Sequence, residues 1–150
     1  MQLSKYFTLA EMCRTTHRKH QAGNVPHDHL LQAGRDLCAT ILDPIRGHFG
    51  KPLIVHSGYR SGALNTAIGG SKSSQHCKFE AADFHVSGVD LRKVFDWIRL
   101  ESGIKFGQLI LEGWSVGQPT WIHVSLGAPY RPESKCGQVL IFEAGEYKRV

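Results

Sequence analysis

The sequence predicts an α+β fold: helices in the first third, packed on a mainly antiparallel sheet built from the rest. Three observations predict it. Apolar residues recur at spacings of three and four between positions 30 and 45. From Leu53 onward, short apolar runs rich in Ile, Val and Phe are separated by glycine-bearing turns. Only one helical pattern interrupts those later runs, so strand follows strand as antiparallel pairing requires.

The elements follow in order. Thr8 with Glu11 three residues later is a capping-box pattern, and Phe7 before it can staple against Met12. Residues 13–24 are polar. His17, His20 and His27 lie in or near them; a second metal site is imaginable there, and solvated loop histidines are the preferred reading. Pro26-His27-Asp28 opens a longer helix, whose stripe is Leu30, Leu31, Ala33, Gly34, Leu37, Cys38, Ile41, Leu42 and Ile45. Pro44 is expected to kink or end it. Residues 52–57 read as a strand, 58–62 as a turn and 69–74 as a small-residue loop. Residues 81–86 read as a second strand. A helix then starts at residues 89–92, with Val94, Phe95, Trp97, Ile98 and Leu100 as its apolar side. Residues 106–112 and 120–125 give two further strands, and 138–142 a possible edge strand. No internal repeat or linker divides the chain, so residues 1–150 form one domain.

Composition bounds the function. The balance of 18 Lys+Arg against 13 Asp+Glu gives +5, which favours polyanions. The basic residues are dispersed without a dense run, so nucleic acid is not an expected partner. No stretch approaches the roughly 18 apolar residues of a membrane span, and no partner membrane is expected. The four cysteines, Cys13, Cys38, Cys77 and Cys136, form no C-x-x-C pair and read as reduced thiols. Cys77 beside His76 is expected to point away from any metal. No signal peptide is visible at the N-terminus, so synthesis in a cytoplasm is expected.

The chemistry concentrates in Ser73-Ser74-Gln75-His76, then Asp83, then Trp121-Ile122-His123. Two imidazoles and a carboxylate are a facial metal set, and three protein ligands leave a tetrahedral zinc one open position, the mark of a catalytic site. Asp83 and His85 share one face of their strand, so His85 is a rival ligand or a supporting partner. Other divalent metals suit the same donors.

These segments stand in a particular order: Ser57-Gly58-Tyr59-Arg60-Ser61, Leu64-Asn65, Gly69-Gly70-Ser71, Ser74-x-His76, Ala81-Ala82-Asp83 and Trp121-x-His123-x-Ser125. With the opening at residues 3–11 and Leu42-Asp43-Pro44-Ile45-Arg46, the chain resembles the zinc D-alanyl-D-alanine carboxypeptidases and related peptidoglycan peptidases, whose fold is shared with the hedgehog signalling domain. Small phage-type members are the nearest in pattern. The resemblance implies Zn2+ held by His76, Asp83 and His123, with Arg60 and Ser74 on the substrate. It implies hydrolysis of D-amino-acid-containing peptidoglycan peptides, in the wall of a bacterium, by a lysin released through a partner pore or by an enzyme carried in a virion. Asn65, Gln75 and Ser71 line the site or, by preference, brace its loops.

Two departures from the family pattern bear on activity. Many relatives place a carboxylate three residues before the last histidine, where this chain has Thr120. The nearest acid is Glu112, which falls roughly opposite Thr120 if residues 113–119 make a hairpin turn, and phage-type relatives carry an acid after a similar Gln-Leu-Ile strand. Glu112 is therefore assigned as general base. Second, Phe79 stands where relatives have glycine, implying a rearranged turn or an aromatic wall over the site. Trp121 is expected beside the pocket or in the core. These departures motivate two alternatives: a non-catalytic virion structural component, or a zinc-stabilised cell-wall-binding module.

Overall fold

The computed structural model describes residues 1–115 and 117–150. Helices α1 (Leu9–Met12), α2 (Arg18–Gln21), α3 (Leu31–Leu37) and α4 (Asp43–Phe49) come first. Strand β1 (Leu53–Ser57), helix α5 (Gly62–Ala67), strand β2 (Ala81–Val86) and helix α6 (Leu91–Leu100) follow, and then β3 (Phe106–Glu112), β4 (Trp121–Leu126), β5 (Gln138–Glu143) and β6 (Glu146–Arg149). The strands form one sheet in the order β1-β2-β4-β3-β5-β6. Every neighbouring pair is antiparallel except β3 with β5. No helix among the described residues is long and apolar enough to cross a membrane.

Local chemistry sets the helix ends. The Thr8–Glu11 capping box forms in both directions, at 3.2 and 3.3 Å. The long helical segment does not break at Pro44. Residues Cys38–Leu42 make a π-helical turn between α3 and α4, and the Asp43 N–H reaches back to the Cys38 carbonyl. Widening the helix there relieves the crowding that a proline ring imposes on the preceding turn. The Asp43 carboxylate then ties down the N-terminus, accepting from Ser4 Oγ at 2.9 Å and from the Lys5 and Tyr6 amides.

Strand alternation divides the sheet into two faces. Ala82, Phe84, Leu109, Leu111, Ile122 and Val124 point to the helices and are buried with Leu37, Ile41, Ile45, Val94 and Phe95 in one core. The other face carries Asp83, Ile110, Glu112, Trp121 and His123. Two elements differ from the expectation. Residues 62–67 are a helix, started by the Ser61 hydroxyl accepting from the Leu64 N–H at 3.1 Å. Strand β5 is interior, because the exposed β6 pairs along its outer side.

Candidate metal centre and cleft

Register builds the centre. Asp83 on β2 and Ile110 on β3 both stand opposite His123 on β4, so these three side chains form one row across the sheet. His76 enters from above, on the 3-10 turn Gln75–Lys78 that leads into β2. One ligand atom each from His76, Asp83 and His123 lies within 4.8 Å of the others. All three residues are buried, at 4 to 9% exposure, at the floor of an open cleft of about 670 Å³.

Both imidazoles are oriented by their second nitrogens. His76 Nδ1 donates to the Gly58 carbonyl at 2.8 Å, which leaves Nε2 a lone pair facing Asp83 Oδ1 at 3.3 Å. His123 Nε2 donates to Gln75 Oε1 at 3.1 Å, which leaves the Nδ1 lone pair facing Asp83 Oδ1 at 2.9 Å. Burial works against a charge on Asp83, yet with protons on the two facing nitrogens the imidazoles outweigh it, by positive charge and N–H donation, and hold the carboxyl well below the usual carboxylate range; with those protons absent, the same place suits a cation. Two neutral nitrogens and an ionised oxygen converging on one point, each imidazole locked from behind, suit a divalent cation such as zinc.

Glu112 stands opposite Trp121, one row along the same face from His123. Its backbone carbonyl accepts from the Thr120 N–H at 3.1 Å, so the turn is offset by one position from the expected Glu112–Thr120 opposition. The Glu112 carboxyl and the Trp121 ring both line the cleft, whereas the Thr120 hydroxyl turns away to the Gly113 carbonyl. Burial raises the Glu112 carboxyl above its ordinary value; His123 and Arg60 oppose the rise and Asp83 adds to it.

Arg60 leans over the opposite side of the centre. Its guanidinium donates to Ser57 Oγ at 3.0 Å and Asn65 Oδ1 at 3.1 Å, and lies 3.5 Å from Asp83 Oδ2. Asn65 is a brace, since its amide also holds the Ser71 carbonyl at 2.8 Å. The Arg60 loop is further tied by the buried Asn24, whose side chain bonds the Cys13 and Tyr59 carbonyls and the Ser61 N–H. Gly58 lies against the Met12 carbonyl, 2.4 Å from where a Cβ would stand, so only glycine lets this loop pass. Ser74 lines the cleft and caps the 3-10 turn, accepting from the His76 N–H at 3.3 Å.

Other candidates lie elsewhere. His85 bonds His56 at 2.6 Å and is not in the ligand cluster. Cys77 is a free thiol outside that cluster, and burial pushes the Cys13 and Cys38 thiols up to about 11 and 12. His17, His20 and His27 form no metal-holding group among the described residues. Phe79 does adopt the left-handed conformation, φ 60°, that glycine would take, but its ring is fully buried against Gly34 and Tyr59. It is a core residue and makes no wall over the site. The expectation put Ser125 in the motif but gave it no role, and it accepts from Gln75 Nε2 and the Gln108 N–H at 3.1 and 2.9 Å; Arg131 and Tyr147, in the cleft wall, were given no place. Only Ser125 carried a signal, two residues beyond His123 on the same face.

No curated protein matches the chain. The family model described as Peptidase M15 matches residues 5–125, a span that holds every ligand candidate, Arg60 and Glu112 and ends on β4. With that match over most of its length, the chain belongs to the Peptidase M15 family of zinc metallopeptidases.

Proposed function

We propose that this metallopeptidase hydrolyses peptide bonds in peptidoglycan stem peptides or cross-links, at a bond that involves a D-amino acid. The supporting observation is the placement of Glu112 beside an oriented His76–Asp83–His123 set on the floor of an open cleft. In this reading those three residues hold zinc. The chemistry a bound zinc ion supplies is Lewis acidity, polarising a carbonyl and lowering the pKa of water towards about 7. Glu112 accepts the proton of the attacking water and returns it to the leaving amine. Its burial suits the first half of that exchange, because a carboxyl raised above its ordinary value is the stronger base. Arg60 and Ser74 position the peptide, the guanidinium through a carboxylate. The site of action is the bacterial wall, reached through a lysis pore or from a virion.

The test is digestion of purified peptidoglycan by zinc-loaded protein beside a chelated control, with fragments identified by mass. Zinc-dependent release is expected, and the masses name the bond. The Glu112→Gln variant is expected to keep one equivalent of zinc and lose about 100-fold or more in rate. The Thr120 side chain, turned from the cleft, is the observation that favours a non-catalytic virion or wall-binding role. Zinc-loaded protein that releases nothing from any wall type would support that role instead.

A further inference from the structure

The cleft extends beyond the family-matched segment. Residues after 125 close its far side with Tyr130, Arg131, Pro132, Lys135 and Tyr147. Arg131 stands out among them. It is half-buried, and one N–H of its guanidinium donates to Gln138 Oε1 at 3.3 Å, an oxygen that also accepts from Gln108 Nε2 at 3.0 Å. The ion pairs among the described residues involve Arg60, Arg92, Arg99 and two histidines, and none involves Arg131. A guanidinium in a cleft wall that makes one such bond and pairs with no protein carboxylate among the described residues presents further N–H donors to whatever enters.

Its position sets a distance. Arg60 touches Asp83 on β2, and Arg131 touches Gln138 on β5. The order β2-β4-β3-β5 separates these strands by three spacings of roughly 4.8 Å, and Gln138 stands in the row of Ala81, two residues along from Asp83, so the two anchors lie about 16 Å apart on the diagonal. An extended peptide covers that in about four to five residues. Charge agrees. Arg60, Lys78, Arg131 and Lys135 line the cleft against Glu80, Asp83 and Glu112, an excess of one positive charge before any metal is counted.

Resting on the peptidase reading above, we propose that Arg131 is a specificity residue: it binds a second carboxylate, about four to five residues from the one Arg60 holds, so that the preferred substrate is an acidic peptide laid across the sheet. The chain's own C-terminal segment, and not the shared motif, selects that acidic group.

The test uses the pentapeptide L-Ala-γ-D-Glu-L-Lys-D-Ala-D-Ala, whose fourth residue from the end carries a free α-carboxylate, against its carboxamide twin. Both are given together to zinc-loaded enzyme, and products are counted by mass. Calorimetry on the zinc-loaded Glu112→Gln variant gives the two dissociation constants without turnover. The acid form is expected to be preferred 10-fold or more, chiefly in KM. Arg131→Gln is expected to bring the ratio near one, Arg131→Lys to keep part of it, and Lys135→Gln to lower it less than Arg131→Gln. Each variant is first checked for wild-type melting and zinc content. Equal use of both peptides, or a preference that survives Arg131→Gln, overturns the inference while the peptidase reading stands. Equal losses in Arg131→Gln and Lys135→Gln overturn the assignment to Arg131 in favour of general charge. Binding of neither peptide by zinc-loaded protein overturns both readings.

Discussion

Gln75 acts on the candidate metal centre through His123. Its carbonyl oxygen receives His123 Nε2–H, and its amide is turned the right way by donating to Ser125 Oγ, which the Gln108 N–H also addresses. The chain of bonds fixes the tautomer that leaves Nδ1 free to ligate. His76 needs no such side chain, because the Gly58 carbonyl does the same from the backbone. Partners that orient a ligating imidazole contribute about 10–100-fold in metal affinity. Gln75→Leu is therefore expected to weaken zinc binding by that factor, measured by competition with a chromogenic chelator, with little change in the metal-free melting temperature. Unchanged affinity would mean that His123 holds its tautomer unaided. That His76, Asp83 and His123 come together was an expectation of donor type and of the family resemblance, and the three do converge within 4.8 Å. Gln75 was expected to line the site or, by preference, brace its loops; that it braces His123 was not legible, because that depends on Ser125, which the pairing of β2 with β4 brings near.

At the scale of elements, the Gly34–Phe79 contact shows how a departure in the motif is absorbed. Phe79 takes a backbone conformation that costs a non-glycine residue about 1–3 kcal/mol. Its ring is completely buried on α3, where a Cβ at Gly34 would stand 2.6 Å from the ring. Burying an aromatic side chain of that size offsets the strain. Gly34→Ala is expected to destabilise by about 1–3 kcal/mol through overpacking, read from urea unfolding. The same change made on a Phe79→Ala background is expected to cost much less, since the ring it strikes is gone; equal costs would show that the two residues do not act on each other. The same comparison explains which elements could be read in advance. Strands β1 to β4 announce themselves as short apolar runs between turns: β1 alternates in burial, and β2 to β4 are buried at nearly every position. Strand β6, Glu-Tyr-Lys-Arg, is exposed at every position, so no burial pattern marks it. Helix α5 is short and depends on its Ser61 cap, and the π turn before Pro44 answers a steric conflict that no periodicity records.

For the whole molecule, the sheet separates stability from chemistry by face, and adjacent residues of β3 can measure how completely. Leu109 is fully buried on the helix side, while Ile110 lies beneath the cleft, in register with His123. Leu109→Ala removes core contacts and is expected to destabilise by about 2–5 kcal/mol whether or not zinc is present. Ile110→Ala removes a side chain that borders the cleft, so its cavity opens to water and its cost is expected to be smaller. Zinc provides the second axis. A ligand that binds only the folded chain adds about 2.7 kcal/mol at 100 times its dissociation constant. Chelation is therefore expected to lower the unfolding midpoint of the wild type and of Leu109→Ala by the same amount, because Leu109 faces away from the ligands. Ile110→Ala, beside His123 in the same row, is expected to show a smaller zinc increment as that row loosens. Urea titrations of the three proteins with zinc and with chelator check this. Equal zinc increments in all three would mean that the metal row is held by its hydrogen bonds alone and takes no support from the sheet beneath it.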